Sequence, residues 1–193
     1  MDCSMYIEFH PLEPFLPPEA KILMLGSFPP PRNKWSMEFF YPNFQNDMWR
    51  IFGLVFYEEK EYFITNRKFD AVKIKDFCRE KGIAIYDTAT AVKRLRDNAS
   101  DNYLEIVDML NLKELLLKIP KCNTIAATGK KALDIILKTA NCKEPEIGNF
   151  SFFRLGNRQI KLYRLPSSSR AYPMPLNIKA AYYQRLFSSI NML

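Results

Sequence analysis

"KILMLG", residues 21–26, decides the fold of this chain. It is a continuous apolar run closed by glycine, which is typical of a central strand in a parallel sheet that is buried on both faces. The downstream segment "FQNDMWRIFGLVF", residues 44–56, carries apolar residues at helical spacing. A buried strand followed by an amphipathic helix predicts the start of an α/β fold.

The same alternation continues along the chain. Further strands are predicted at "IAIYD" (83–87), at "NTIAATG" (123–129) and in the second arm of a hairpin around Gly156 and Asn157. Helices are predicted at residues 69–82, 101–120, 130–140 and 176–190, with Gly82 ending the first and Asp101 capping the second. This pattern predicts a three-layer α/β/α sandwich around a short, mainly parallel four-stranded sheet. Residues 1–193 are expected to form a single domain.

The composition bears on partners and location. The chain carries 28 Lys and Arg against 21 Asp and Glu, a formal net charge of +7. This excess favours a polyanionic partner such as nucleic acid. The longest apolar runs are far too short to cross a bilayer, and "MDCSMYIEFH" at the N-terminus lacks the regions of a signal peptide. We therefore expect a cytoplasmic protein with no membrane partner.

Residues that bind metals are sparse and scattered. The four cysteines, at positions 3, 78, 122 and 142, form no C-x-x-C pair, and His10 is the single histidine. Zinc sites and metal clusters need local groups of such ligands. The sequence therefore predicts no metal site.

Ligands of parallel α/β sheets bind outside the carboxyl ends of the strands. The segments that follow the predicted strands are "GSFPPP" (26–31), "YDTATA" (86–91), "TGKKA" (128–132) and "LPSSSRAY" (165–172). Functional residues are expected in these four segments.

Together with "FQNDMWRIF" (44–52), these segments resemble the uracil-DNA glycosylase superfamily, most closely its hypoxanthine-DNA glycosylase and mismatch-specific uracil glycosylase branches. "LMLGSFPP" (23–30) is similar to the first motif, G-S-F-P-G, and "LPSSSRA" (165–171) to the second, L-P-S-T-S-P-A. The segments match in order over residues 21–187. Pro30 stands where the family usually has Gly, and Arg170 where the branch has Pro.

The resemblance implies a DNA repair enzyme, a monofunctional DNA N-glycosylase. Such an enzyme hydrolyses the N-glycosidic bond of a deaminated base, uracil or hypoxanthine, that is flipped out of DNA into a pocket. It needs no metal and no cofactor. Its partner would be DNA containing deaminated bases, and we expect a monomer.

Asn46 matches the residue to which the hypoxanthine branch assigns catalysis, so its amide would hold a water or polarise the base. Phe28 occupies the first-motif position that carries Asp or Asn in other branches, and it cannot orient a water. Asn46 could instead cap the helix that follows it. That helix is expected to expose Asp47 and Arg50 on the face opposite its core side chains.

Three residues at the first strand and the first helix are expected to contact the flipped base. Ser27 and Phe28 follow the strand and would form the floor of the pocket. Tyr41 aligns with the stacking aromatic of the family, and an aromatic face can hold any base.

Two further strand ends carry a charged residue. Asp87 lies where relatives read the base edge, and a carboxylate can accept from a base N–H. Asp87 could instead cap the following turn through Thr88 or Thr90. Lys130 belongs to a turn that resembles a phosphate-holding turn, with backbone N–H groups at a helix start beside a cation.

The "LPSSSRAY" loop is expected to lie against the DNA strand. The resemblance implies that Ser167, Ser168 and Ser169 bind phosphates, while Arg170 adds a charge. Leu165 stands where many relatives carry a His that stabilises the departing base. The absence of this His fits the hypoxanthine branch, and it also fits a protein that binds DNA without cutting it.

Two other functions stay open. Phe28, Pro30 and Leu165 reduce the chemical content of the site, which would suit a non-catalytic nucleic-acid-binding relative. A nucleoside or nucleotide N-glycosidase would share the pocket chemistry, although it would need no basic surface.

Overall fold

The structure is a computed structural model that describes residues 6–95 and 103–193. The strands are β1 (Ile7–Phe9), β2 (Ile22–Gly26), β3 (Ile64–Thr65), β4 (Lys68–Phe69), β5 (Ile83–Asp87), β6 (Ala89–Arg94), β7 (Leu104–Met109), β8 (Thr124–Ala127), β9 (Phe150–Leu155) and β10 (Arg158–Arg164). The helices are α1 (Met48–Tyr57), α2 (Ala71–Lys81), α3 (Leu112–Leu117), α4 (Lys130–Leu137) and α5 (Leu176–Ser189), and a short 3₁₀ helix spans Arg32–Lys34.

The main sheet confirms the α/β class but is larger than predicted. Within the described residues it has five strands in the order β5-β2-β8-β10-β9. The four predicted strands pair in parallel, while β9 pairs with β10 in antiparallel fashion. The predicted count of four was wrong because both arms of the hairpin join the sheet. Gly156, with a φ of 60°, makes the turn that places β9 at the edge.

Helices pack on the sheet in two groups. Every residue of β2, β5 and β8 is buried, so the centre of the sheet is covered on both faces. α1, α2 and α5 meet through Phe52, Phe77 and Phe187. α3 and α4 come together near Leu25 of β2. The predicted end of α2 is confirmed, since Gly82 follows it with a φ of 69°.

A second sheet was not predicted. β1, β6 and β7 form an antiparallel sheet in the order β1-β6-β7. The helix predicted over residues 101–120 was therefore wrong, because its first described part is the strand β7 and helix begins only with α3. Leu104 and Ile106 alternate with exposed Glu105 and Val107 and pack against β6, so tertiary pairing selects the two-residue period. The predicted cap, Asp101, lies outside the described residues.

In the described parts of the chain, none of the helices combines the length and the apolar character needed to cross a membrane.

Candidate active site

A cavity of about 650 Å³ opens at the carboxyl ends of β2, β5 and β8. Its other side is formed by the chain before α1 and by residues 167–173, here named the serine loop. Every residue that the sequence suggested for the site lines this cavity except Lys130. Those residues are Ser27, Phe28, Tyr41, Asn46, Asp87, Ser167, Ser168, Ser169 and Arg170.

The floor of the cavity depends on a glycine beside a carboxylate. Gly26 and Asp87 end adjacent parallel strands and are paired in register. A Cβ on Gly26 would lie 2.3 Å from Asp87 Oδ1 and 3.3 Å from the hydroxyl of Tyr41. Only glycine leaves room for the carboxylate at this place. Burial, reinforced by the charge of Asp87, raises the pKa of the adjacent Tyr86 to about 12.

Asp87 is held from behind by the single histidine. His10 Nε2 lies 2.9 Å from Asp87 Oδ2, and the His10 side chain is 2% exposed. The expectation that Asp87 could cap the next turn is not what the hydrogen bonds show. Thr88 Oγ1 donates to the Gly26 carbonyl, and Thr90 Oγ1 donates to Asp108.

Tyr41 is fixed at both its backbone and its hydroxyl. Its φ of 51° lies in the left-handed region, which costs free energy for a residue with a Cβ. Its hydroxyl lies 2.9 Å from Thr128 Oγ1, and Thr128 Oγ1 in turn donates to the Leu25 carbonyl. The ring meets Trp49 edge to face at 6.3 Å. The surrounding core therefore sets the position of the aromatic face.

Asn46 makes a hydrogen bond to the backbone at the start of α1 and also lines the cavity. Its Oδ1 accepts from the backbone N–H of Met48, the first residue of α1, at 2.8 Å, while the N-cap position itself is Asp47, whose side chain makes no capping hydrogen bond. Because only the oxygen of an amide can accept, the bond to Met48 also fixes the orientation of the amide. The Nδ2 hydrogens are then the groups that Asn46 offers to a ligand.

The serine loop is tied to the start of α1. Asn46 and Ser169 form an antiparallel bridge, and the Asp47 N–H donates to the Ser168 carbonyl at 2.9 Å. Ser167 Oγ accepts from the Ser169 N–H, and Ser169 Oγ accepts from the Ala171 N–H. Each hydroxyl acts as an acceptor in these turns, so its own hydrogen can donate to a further acceptor such as a phosphate oxygen.

Buried charges hold the loop in place. Asp47 Oδ1 accepts from Arg170 Nε at 2.9 Å, and Oδ2 accepts from Lys179 Nζ at 3.2 Å. Lys179, whose side chain is 1% exposed, also donates to the Ser169 carbonyl at 2.7 Å. A buried lysine needs such partners, since an unpaired buried charge is very costly.

The expectation that Asp47 and Arg50 are exposed was wrong. Asp47 is 6% exposed because of its two cationic partners, and Arg50 is 3% exposed. Arg50 Nη1 donates to the carbonyls of Phe44 and Asn46, and its guanidinium lies 4.5 Å from the Phe44 ring centre. Burial, and then the positive charge of Arg170, lower the pKa of Arg50. Helical periodicity cannot detect the segments outside the helix that cover these residues, which are the serine loop for Asp47 and the chain around Phe44 for Arg50.

Lys130 is not brought into the site. Its Nζ lies 2.5 Å from Asp134 and 3.0 Å from Glu144 on the exposed start of α4. Hydrogen bonds, first to Asp134 and then to Glu144, raise the pKa of Lys130. Its charge is thus balanced by two carboxylates.

His10 and Lys179 support the site and were not predicted from the sequence. His10 was considered only as a metal ligand, although its being the single histidine was a visible signal. Lys179 lies in an amphipathic helix, where its burial has no local signature. Among the described residues, no three His, Cys, Asp or Glu side chains come together in a way that could hold a metal ion.

Comparison with solved structures finds a similar fold in the solution NMR structure of a "putative Uracil DNA glycosylase" from Methanosarcina acetivorans. The two share 20% sequence identity with a TM-score of 0.63, and the match covers 96% of this chain and 99% of that chain. Neither a protein-family model nor a curated protein matches this chain. The two chains therefore share a mixed α/β fold over nearly their whole lengths.

Proposed function

We propose that this chain is a DNA glycosylase that hydrolyses the N-glycosidic bond of uracil or hypoxanthine in DNA. The strongest support is the convergence of Asn46, Tyr41, Asp87 and the serine loop on one cavity of about 650 Å³. A cavity of this size suits a flipped base with its sugar, since ligand pockets typically measure about 300–1,000 Å³. The net charge of +7 favours the approach of DNA. The similar structure is named a "putative Uracil DNA glycosylase", which agrees with this activity.

Asn46 is suited to stabilise the departing base. During hydrolysis the C1′–N bond breaks and its electron pair moves onto the base. A water oxygen then bonds to C1′, and the proton that the water loses is taken up by the base or by solvent. Because Asn46 Oδ1 accepts from Met48, the Nδ2 hydrogens would donate to the base atom that gains negative charge. The sequence left open whether the Asn46 amide holds a water or polarises the base. Because its oxygen is already bonded, the amide presents a donor, which favours polarising the base.

The other residues of the cavity would bind and orient the nucleotide. The half-buried ring of Tyr41 would stack on the base, a contact that contributes about 1–3 kcal/mol. Asp87 would accept an N–H from the base edge. Ser167 and Ser169 would donate their hydroxyl hydrogens to phosphate oxygens, which positions the strand without reading its sequence.

The proposal is tested with a pair of variants at one residue. Asn46→Asp keeps an oxygen that can accept from Met48 but removes the Nδ2 donor, whereas Asn46→Ala removes both. We expect each variant to lower cleavage at least about 100-fold, as loss of a donor to a developing anion does in other enzymes. Asn46→Ala should also lower stability by about 1 kcal/mol, whereas Asn46→Asp should keep the stability of the wild type. Cleavage is measured as alkali-labile sites in oligonucleotides carrying uracil or hypoxanthine.

Asn111→Ala provides the matched control. Asn111 Oδ1 accepts from the Glu114 N–H at the start of α3, so this variant loses a helix cap away from the cavity. It should lose similar stability and keep its cleavage rate. Equal cleavage by wild type and Asn46→Asp would contradict the proposed role of the amide.

A non-catalytic nucleic-acid-binding protein is the second candidate. It is favoured by Leu165, which is 1% exposed in the core, and by Phe28, whose ring packs edge to face on His10 at 5.4 Å. This candidate predicts salt-dependent DNA binding with no base release from any lesion, single-stranded or mismatched. Faster hydrolysis of free deoxyuridine or deoxyinosine than of DNA would instead identify a nucleoside N-glycosidase.

A further inference from the structure

His10 reaches the candidate site from a distant part of the chain. It directly follows β1 and lies 77 positions before Asp87, whose Oδ2 is 2.9 Å from its Nε2. Its ring is enclosed by Phe28 and Tyr86, with ring centres at 5.4 and 4.7 Å. The side chain is 2% exposed, whereas Asp87 lines the cavity. His10 therefore stands behind Asp87, one layer away from any ligand.

We propose that His10 is a positioning residue that holds Asp87 as a fixed acceptor, and that this acceptor distinguishes a deaminated base from its amino parent. The inference rests on the proposed function, because it names how the same cavity selects its base.

The selection follows from the chemistry of deamination. Cytosine N3 and adenine N1 carry lone pairs, whereas uracil N3 and hypoxanthine N1 carry hydrogens. An ionised carboxylate only accepts, so it attracts the N–H of the deaminated base and repels the lone pair of the parent. A carboxylate that could move would instead accept from the neighbouring amino group of cytosine or adenine. Discrimination therefore requires that the carboxylate be held.

The geometry leaves one oxygen for this task. Asp87 Oδ2 faces His10, while Oδ1 lies beside Gly26, which also lines the cavity. One fixed oxygen matches the single ring N–H of uracil or hypoxanthine. The backbone steadies the ring on its other side, since His10 Nδ1 lies 2.8 Å from the Leu12 carbonyl and 3.2 Å from the Leu12 N–H. When Nδ1 accepts from the Leu12 N–H, a neutral ring carries its hydrogen on Nε2 and donates it to Asp87, whereas donation from Nδ1 to the Leu12 carbonyl leaves Nε2–H to donate only if the ring carries both protons.

The test measures binding without cleavage. Duplexes carrying 2′-fluoro-arabinouridine or 2′-fluoro-arabinocytidine at one position are titrated with the full chain, because the fluorine slows breakage of the glycosidic bond. The readout is the ratio of the two dissociation constants. We expect wild type to favour uracil and His10→Phe, which keeps a ring but loses the donor, to reduce the ratio about tenfold. His10→Gln restores an N–H near the position of Nε2 and should keep the ratio within about threefold of wild type.

Several outcomes would overturn the inference. One is an unchanged ratio in His10→Phe, and another is an equal loss in His10→Gln, which would assign the effect to packing. Thermal melts identify a variant that does not fold. An arm that uses wild type alone then decides, since a duplex whose uracil carries an N3-methyl group should lose the preference. If wild type bound the N3-methyluracil duplex as tightly as the uracil duplex, the inference would be overturned.

Failure of the proposed function gives a different result. A wild type that prefers the uracil duplex but never releases a base would contradict the glycosylase activity while leaving the role of His10 standing. A wild type that cuts DNA while His10→Phe retains full discrimination would do the reverse.

Discussion

The two walls of the cavity are held in different ways. At the floor, Gly26, Asp87 and Thr128 lie at strand ends, and their positions follow from strand register and short hydrogen bonds. At the opposite wall, the serine loop has no regular structure of its own. Asp47 and Lys179 attach it to α1 and α5 through buried charges.

The difference indicates what each wall tolerates. At the floor, strand register sets the positions and the residues are closely packed. An added atom should therefore destabilise the floor more than the loss of one hydrogen bond does. A wall built on buried charges depends on pairing, because removal of one partner leaves the other charge uncompensated in a medium that solvates it poorly. Substitutions that remove a charge but keep the side-chain size, or that add an atom but change no charge, therefore test this difference.

Lys179→Met should have the largest effect. It keeps the length of the side chain but leaves buried Asp47 with half-exposed Arg170 as its remaining cationic partner. We expect the free energy of unfolding to fall by about 3–5 kcal/mol, measured by urea denaturation. Lys113→Met, at an exposed position of α3, is the control and should change it by less than about 0.5 kcal/mol. A loss below about 1 kcal/mol in Lys179→Met would show that charge pairing does not hold the loop.

Gly26→Ala should have the next largest effect. Its Cβ would lie 2.3 Å from Asp87 Oδ1, so the carboxylate must move. We expect a cost of about 1–3 kcal/mol, together with at least a tenfold loss of affinity for uracil-containing DNA. Gly156→Ala is the control, since nothing lies within 4 Å of its Cβ and its φ is 60°. It should cost about 1 kcal/mol and leave DNA affinity intact. Equal affinities for the two variants would remove the spatial argument.

The two walls also differ in how well the sequence predicts them. The floor could be predicted because buried parallel strands leave continuous apolar runs, and the residues after such runs share one edge of the sheet. Ser27, Asp87 and the serine loop were identified in this way, whereas the close approach of Gly26 to the carboxylate was not. The supports could not be predicted, since His10 lies 77 positions from Asp87 and Lys179 lies 132 positions from Asp47. No local pattern records a contact of that range.

The helix predicted where β7 lies was wrong for a related reason. "LEIVDM" alternates in polarity over few residues and runs directly into the helical "LKELLL", so one long helix fitted the local pattern. Pairing with β6 decides the strand, and that partner is itself a segment that the sequence did not identify.

Tyr41→Phe tests the hydrogen bonds of the floor with a smaller change. It removes the hydroxyl that lies 2.9 Å from Thr128 Oγ1 and keeps the stacking ring. We expect a loss of about 1 kcal/mol in stability and little change in DNA affinity. Thr128→Val, alone and combined with Tyr41→Phe, measures the coupling between the two hydroxyls. Additive losses would contradict a direct bond, and a large fall in affinity for Tyr41→Phe would mean that the hydroxyl contacts the ligand.

Lys130→Gln should have the smallest effect, and it separates charge at the cavity from charge elsewhere. Its Nζ is already paired with Asp134 and Glu144, and an exposed pair of this kind contributes about 0–1 kcal/mol. We expect the dissociation constant for duplex DNA to change less than about twofold, with the same slope against the logarithm of salt concentration. Arg170 shares the single carboxylate of Asp47 with Lys179, so this group keeps one excess positive charge at the cavity, and Arg170→Gln should lower the slope by about one, which is the signature of a lost phosphate contact. A slope that falls for Lys130→Gln and not for Arg170→Gln would place the DNA strand over α4, away from the serine loop.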